Sequence, residues 1–113
     1  MTARLTADVR VRALIRRVHA EGGSAMVLAR GDAQAGAILI LALDRGTRPR
    51  FFERAIGPDG VPQLVESGPK QLANEDEVAA YWQRRRERDP DLWVVELDVA
   101  GAERFAAETI SLS

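Results

Sequence analysis

Two apolar runs separated by a short glycine-containing loop constrain the fold of this chain more than any other feature of its sequence. The first run covers residues 25–29 and the second covers residues 37–43. Runs this short, rich in branched residues and bounded by glycine, are typical of buried strands. The loop between them carries Gly31 and Gly36, and glycine permits the positive φ of a turn. The sequence therefore predicts an antiparallel hairpin at the centre of a sheet.

A helix is predicted ahead of this hairpin, over residues 6–21. Its apolar residues fall at i, i+3, i+4 and i+7 and form one stripe: Val11, Leu14, Ile15 and Val18. Gly22 follows at the position where a helix C-terminus favours a left-handed residue. The start of this segment also alternates as a strand does, but the helical stripe is the cleaner pattern.

A second helix is predicted from Asn74 to Asp89. The Asn74 side chain can cap the helix, and Glu77 three residues later completes a capping box. Acidic residues at the start and arginines near the end match the helix dipole. Pro90 ends the helix, because the residue before a proline avoids the helical region.

Three further strands complete the predicted sheet, over residues 50–56, 61–66 and 92–97. The turn Gly57–Gly60 joins the first two, and Pro62 assigns the second of them to an edge because proline cannot donate to a strand ladder. A short helix over residues 101–108 ends the chain. The predicted fold is α+β, a mostly antiparallel five-stranded sheet with two long helices packed on one face, in a single domain over residues 1–113.

Composition excludes several functional classes. The 113 residues are 46% hydrophobic and 29% charged, and the net charge is −1, so the chain is a globular domain without a strong overall field. There is no cysteine, which excludes disulfides, thiolate metal sites and cysteine nucleophiles. His19 is the single histidine, which excludes any site built from two imidazoles. No secretory leader is recognisable, so we expect a cytoplasmic protein. We also expect no cofactor.

Arg85 is the first candidate for a binding residue. It lies seven residues after Val78 and therefore on the apolar face of the second helix, which Tyr81 and Trp82 share. An arginine on an apolar face either pairs with a buried carboxylate or presents its planar fork to an anionic ligand. It can also extend past Trp82 to water.

Arg84 and Arg88 join Arg85 as candidate contacts for an anion or a protein partner. They belong to the segment 84–88, in which four of five residues are arginine. Such a segment can contact phosphates, but interleaved acidic residues favour a solvated, salt-bridged face. We expect neither nucleic-acid binding nor membrane binding.

Asp44 and Glu53 are a candidate acidic pair. The succession of helix, three strands, helix and strand resembles the core of restriction-endonuclease-like nucleases, in which two carboxylates on adjacent strands bind a divalent metal. The expected lysine two residues after the second carboxylate is replaced by Ala55. The sequence therefore leaves a metal-dependent nuclease as an alternative and assigns no catalytic or metal residue.

Three other features favour structural roles. The tripeptide Arg30–Asp32 matches a cell-adhesion motif but lies in a predicted turn, and we expect the turn role because no leader sequence is recognisable. His19 lies near a helix end, where its cation suits the dipole. Trp82 and Trp93 lie in apolar segments and are predicted to pack in the core.

Three segments together resemble a family of short, single-domain alphaproteobacterial proteins classed as a domain of unknown function. They are residues 13–17, residues 31–32 with 35–38, and the segment Asp89–Glu96, which is the most specific of the three. The resemblance implies a compact bacterial cytoplasmic domain and carries no assigned activity or catalytic residue. From the residues themselves we expect a small interaction module that binds another protein or a second copy of itself, through a strand edge or an arginine-rich helix.

Overall fold

The chain forms an α+β fold around a five-stranded mixed sheet, and a computed structural model describes residues 5–111. The elements in chain order are α1 (Ala7–Ala20), β1 (Ser24–Ala29), β2 (Ile38–Asp44), β3 (Thr47–Ile56), β4 (Pro62–Ser67), α2 (Glu75–Arg88), β5 (Trp93–Asp98) and α3 (Ala102–Ala106), followed by a π-helical turn (Ala107–Ser111). This succession confirms the predicted α+β class, the mostly antiparallel sheet and the order of its elements.

The predicted pairing of β1 with β2 is wrong. The strands lie in the order β1-β5-β2-β3-β4, so β5 separates β1 from β2. β5 runs antiparallel to β1 and parallel to β2, and the other pairs are antiparallel. β2 and β5 lie side by side in the interior of the sheet, and both are buried along most of their length.

The β1–β2 loop (residues 30–37) explains the insertion of β5. The Asp32 backbone N–H donates to the carbonyl oxygen of Asp91 (3.0 Å), and the Trp93 N–H donates to the carbonyl of Ala37 (2.8 Å). A Cβ added at either Gly31 or Gly36 would overlap the Asp91 oxygen. The two glycines are therefore required for close approach, whereas the sequence had suggested positive φ.

Helices cover both faces of the sheet, which corrects the prediction that they pack on one. α1 and α3 pack on the face that carries Ile38, Ile40 and Phe52. α2 packs on the opposite face, mainly through Val78, and that face carries a separate apolar cluster: Leu39, Leu41, Phe51, Leu92 and Val94. No helix within residues 5–111 is long and apolar enough to cross a membrane.

The helix boundaries follow their local signals. Gly22 takes the left-handed conformation (φ 83°) two residues after the last residue of α1. At the start of α2, the Glu77 N–H donates to the side-chain oxygen of Asn74 (2.9 Å). The Glu77 carboxylate accepts in return from the N–H of Ala73 (2.7 Å), which completes the capping box one residue earlier than predicted.

Trp93→Ala tests whether Trp93 anchors the core. The side chain is 2% exposed, and its indole N–H donates to the carbonyl oxygen of Asp32 (2.7 Å). We expect the free energy of unfolding, measured by urea denaturation, to fall by about 3–5 kcal/mol. The half-buried Trp82, changed to alanine, should cost less, and a Trp93→Ala effect within about 0.5 kcal/mol would contradict the anchor.

Asn74→Ala tests the cap of α2. Removal of the side-chain acceptor leaves the Glu77 N–H without its capping partner, so we expect a loss of about 0.5–2 kcal/mol in unfolding free energy. The exposed Gln71, outside the helix, provides a matched alanine substitution that should leave the denaturation midpoint unchanged. Equal midpoints for the two variants would rule out the cap.

Candidate functional site

Arg85, Glu53 and Tyr81 form a polar cluster between α2 and β3. The Arg85 guanidinium donates to both carboxylate oxygens of Glu53, from Nη1 at 2.7 Å and from Nη2 at 2.9 Å. Nη1 also donates to the Tyr81 hydroxyl at 2.9 Å. The Arg85 and Glu53 side chains are 29% and 25% exposed, so water screens the pair only in part. Of the two roles predicted for an inward-facing arginine, the geometry corresponds to pairing with a carboxylate.

This pairing shifts the ionisation of both partners in the direction that keeps them charged. The Arg85 hydrogen bonds hold the pKa of Glu53 below its ordinary value, against the opposing effect of burial. The Glu53 carboxylate in turn raises the pKa of Arg85. The pair is therefore a stable ionic tie between helix and sheet, and neither group is poised for proton transfer near neutral pH.

The structure does not bring Asp44 and Glu53 together. Glu53 lies opposite Leu39 in the β2–β3 ladder, whereas Asp44 lies at the far end of β2, opposite Thr47. The separation along the strand is roughly 17 Å at about 3.4 Å per residue, too far for two ligands of one ion. Within residues 5–111 no group of three or more metal-ligating side chains is close enough to hold a metal.

The arginines of α2 differ in their surroundings. Arg84 and Arg88 are exposed on the outer surface of the helix. Arg86 is half-buried, and its Nη1 donates to the carbonyl oxygens of Arg30 (2.7 Å) and Leu92 (3.3 Å). Arg86 thus connects the end of α2 to the β1–β2 loop and to the residue before β5. The sequence placed it among solvent-facing arginines.

The two edges of the sheet differ in how they are protected against further pairing. β4 begins at Pro62, which has no N–H to donate, and carries the exposed acid Glu66. The six residues of β1 include no charge and no proline. At its centre the Met26 side chain is 54% exposed, and a bulge lies between Val27 and Ala29. Charges and prolines are the common means of blocking an edge, so β1 is the less protected one.

Two arginines for which the sequence predicted no functional role line a cleft between α1, the β1–β2 loop and β3. Arg10 on α1 is 7% exposed and donates from Nη1 to the carbonyl oxygen of Ile110 (3.2 Å). Arg54 on β3 lines the same cleft. Arg10 lies beside the apolar stripe of α1. The carbonyl that it binds belongs to the π-helical turn, which is distant in the sequence, so local spacing gave no signal for this contact. Strand alternation was the available signal for Arg54, since it shares a face with the buried Phe52.

Comparisons with known proteins identify relatives without an assigned activity. A family model described as "Protein of unknown function (DUF1491)" matches residues 5–107. A crystal structure of a DUF1491 family protein from Caulobacter crescentus CB15 is similar, with 38% identity over 90% of this chain and 94% of that one and a TM-score of 0.77. An NMR structure of a DUF1491 family protein from that organism, at 35% identity, covers 99% of this chain and 100% of its own, with a TM-score of 0.77.

A solution structure of a protein from A. tumefaciens is also similar. It has 33% identity over 86% of this chain and 87% of that one, with a TM-score of 0.66. No protein with a curated description matches the chain. The relatives therefore confirm the resemblance to an unknown-function family and supply no substrate or partner.

Glu53→Gln tests the ionic tie through its pH dependence. Because Arg85 lowers the pKa of Glu53 in the folded protein, the pair stabilises the fold fully above the ordinary carboxyl value of 4.5 and loses this effect as pH falls through the folded value. We expect the variant to be less stable by about 1–3 kcal/mol at pH 7, measured by urea denaturation. The difference from wild type should shrink progressively in acid.

Glu66→Gln is the matched control for this experiment. Glu66 is an exposed carboxylate on the neighbouring strand β4, so its substitution should change stability by no more than about 0.5 kcal/mol at any pH. A Glu53→Gln effect that stays constant from neutral pH into acid would contradict an ionic contribution.

Proposed function

Because the chain belongs to the DUF1491 family, whose function is not established, we propose a function from its own geometry: the protein is an interaction module that pairs with a second copy of itself along the edge of β1. The observation that carries this proposal is the chemical difference between the two sheet edges. An edge without charge or proline offers backbone N–H and C=O groups to an added strand.

A second copy of β1 fits this edge as the added strand. Antiparallel pairing about a two-fold axis perpendicular to the sheet places a residue opposite itself, and Met26 at the centre of β1 is the exposed apolar one. The two Met26 side chains then cover each other, and Ala25 of each copy lies opposite Val27 of the other. This pairing joins two five-stranded sheets into one continuous sheet.

Charges at the two ends of β1 favour the antiparallel orientation. Glu21 precedes the strand and Arg30 follows it, and both side chains are exposed. Antiparallel pairing brings the acidic end of one copy next to the basic end of the other, whereas parallel pairing would bring like charges together. Pairing of two six-residue strands buries less area than a standard interface of about 800 Å² per partner. We therefore expect a weak dimer whose population depends on protein concentration.

The alternatives receive less support from the geometry. A metal-dependent nuclease requires adjacent carboxylates, and Asp44 and Glu53 lie far apart with Glu53 bound to Arg85. A nucleic-acid module requires a positive surface, but several arginines contact the protein's own carboxylates and carbonyls: Arg10, Arg12, Arg17, Arg50, Arg85 and Arg86. An interaction module that works in the cytoplasm remains our expectation.

Met26→Lys tests the proposed dimer. The substitution places two like charges directly opposite each other at the two-fold axis, which destabilises strand pairing. In the monomer the new lysine lies opposite Glu96 of β5, so the fold gains a favourable neighbour. We expect wild type to show a concentration-dependent dimer by sedimentation equilibrium and the variant to remain monomeric at the same concentrations.

The opposite edge and the end charges provide the controls. Gln63→Lys places the same charge on an exposed position of β4 and should leave the dimer intact. Glu21→Arg should weaken association, and combining it with Arg30→Glu should restore it, because the exchange reverses both charges of the pair. A wild-type protein that is monomeric at all concentrations, or a dimer broken by Gln63→Lys and not by Met26→Lys, would refute pairing through β1.

A further inference from the structure

One flank of α1 faces the outer edge of β1. On the other flank Arg10 donates to the carbonyl oxygen of Ile110 and Arg17 pairs with Glu108, so that flank lies against the π-helical turn. This turn packs on β3 and β4, whereas α1 packs on β1 and β5. Because β1 is the edge strand, the flank of α1 that lies away from the turn is directed outward over this edge.

Ile15 lies near the middle of this outer flank of α1. Helical spacing places four side chains on it: Asp8, Arg12, Ile15 and His19. Asp8 and Arg12 form an ion pair with each other (3.4 Å), and His19 is exposed. Ile15 packs against the core but is only partly buried. The centre of the outer flank is therefore an apolar side chain that a single copy covers incompletely.

The strand below the outer flank is covered incompletely in the same way. Ala25 and Val27 lie on the α1 side of the sheet, pack with Ile15 against the apolar cluster of that side, and are partly buried. In the proposed dimer, Ala25 of each copy lies opposite Val27 of the other. These four side chains then lie together at the seam, the line along which the two β1 strands meet.

Ile15 lies at the height of the two-fold axis of this dimer. α1 and β1 are joined by residues 21–23 and run in opposite directions, so their heights can be compared from the connection. Ile15 precedes the end of α1 by about 7 Å at 1.5 Å per residue, and Met26 follows the start of β1 by about 7 Å at 3.3 Å per residue. Met26 is the residue on the axis, so the two copies of Ile15 face each other across it.

The pairing of β1 also brings the two α1 helices to packing distance. α1 contacts both β1 and β5, so its axis lies above the space between these strands. In a dimer joined through β1, the two α1 axes are therefore separated by two strand spacings, which is roughly 10 Å. Packed helices have axes about 8–10 Å apart.

We propose that the α1 helices of two copies pack against each other across the seam, antiparallel and centred on Ile15. This helix pair rests on the proposed pairing of β1 and adds a second layer to the same interface. Ile15, Ala25 and Val27 of both copies then form one apolar cluster that joins the two cores. Strand pairing alone buries less than a standard interface, and the helix pair supplies further apolar area at its centre.

Ile15→Cys tests the helix pair by disulfide cross-linking. The chain contains no cysteine, so a protein disulfide can form only between the thiols introduced in two copies. Cysteines that face each other at the axis lie within the Cα separation of about 7 Å that a disulfide requires. With oxidised glutathione, at a concentration at which wild type is dimeric, we expect the cross-linked dimer to form about tenfold or more faster than from Gln83→Cys. Gln83 is an exposed residue of α2, which packs on the other face of the sheet.

Ile15→Ala measures what this contact contributes to association. Ile15 is only partly buried in one copy, so the variant should fold. Each dimer loses two apolar contacts at its centre, and we expect the dissociation constant, measured by sedimentation equilibrium, to rise about tenfold or more. Arg16→Ala, at an exposed position of the same helix outside the outer flank, should leave the dissociation constant unchanged.

The outcomes separate the helix pair from the strand pair. In a dimer that Met26→Lys breaks, an unchanged dissociation constant for Ile15→Ala, or cross-linking of Ile15→Cys no faster than that of Gln83→Cys, would refute the helix pair and leave the pairing of β1 intact. Cross-linking of Ile15→Cys that persists when Met26→Lys is added would place α1 in a different interface and also refute it. A wild-type protein that stays monomeric refutes both.

Discussion

The hydrogen bonds between the β1–β2 loop and residues 91–93 are the contacts on which the arrangement of the sheet depends. They hold the beginning of β5 in the gap between β1 and β2, where it pairs with both strands. The indole of Trp93 and the guanidinium of Arg86 add side-chain donors to carbonyls of the same loop. The β1–β2 loop, whose sequence resembles a tight turn, therefore holds the start of β5 in place.

The attachment of α2 relies on polar contacts more than that of α1. Within α2 only Val78 is buried, whereas α1 buries four apolar side chains: Ala7, Val11, Leu14 and Val18. The Tyr81 ring packs 4.7 Å from the ring of Phe51, and the Arg85–Glu53 pair lies beside it. An ion pair contributes little to the free energy of unfolding when it is exposed, and considerably more when it is partly desolvated and bidentate. In this protein such a pair supplements a short apolar contact.

The sequence predicted local features well and long-range ones poorly. Asn74 and Gly22 were identified because a cap depends on residues within one turn of helix. The neighbour of β2 was misassigned because a short apolar run shows that a strand is buried and does not identify its partner.

For the candidate site, too, the sequence predicted the position of single residues but not their partners. Helical spacing placed Arg85 on the inner face, and Glu53 was also singled out, but for a metal site with Asp44. Their actual pairing, Arg85 with Glu53, required the packing of α2 on β3, which no local pattern encodes. Arg10 and Arg54 were missed for a related reason, since the cleft they share forms only when α1 meets β3.

The parallel pairing of β2 with β5 also determines the order in which the chain can fold. During synthesis β1 and β2 leave the ribosome well before β5, and the register joins Ile38 to Trp93, two residues far apart in the sequence. Contacts of such long range form late, so the centre of the sheet stays open until the last strand arrives. In that interval direct pairing of β1 with β2 is the competing arrangement. The glycines that admit the Asp91 carbonyl thus act when β5 joins the sheet.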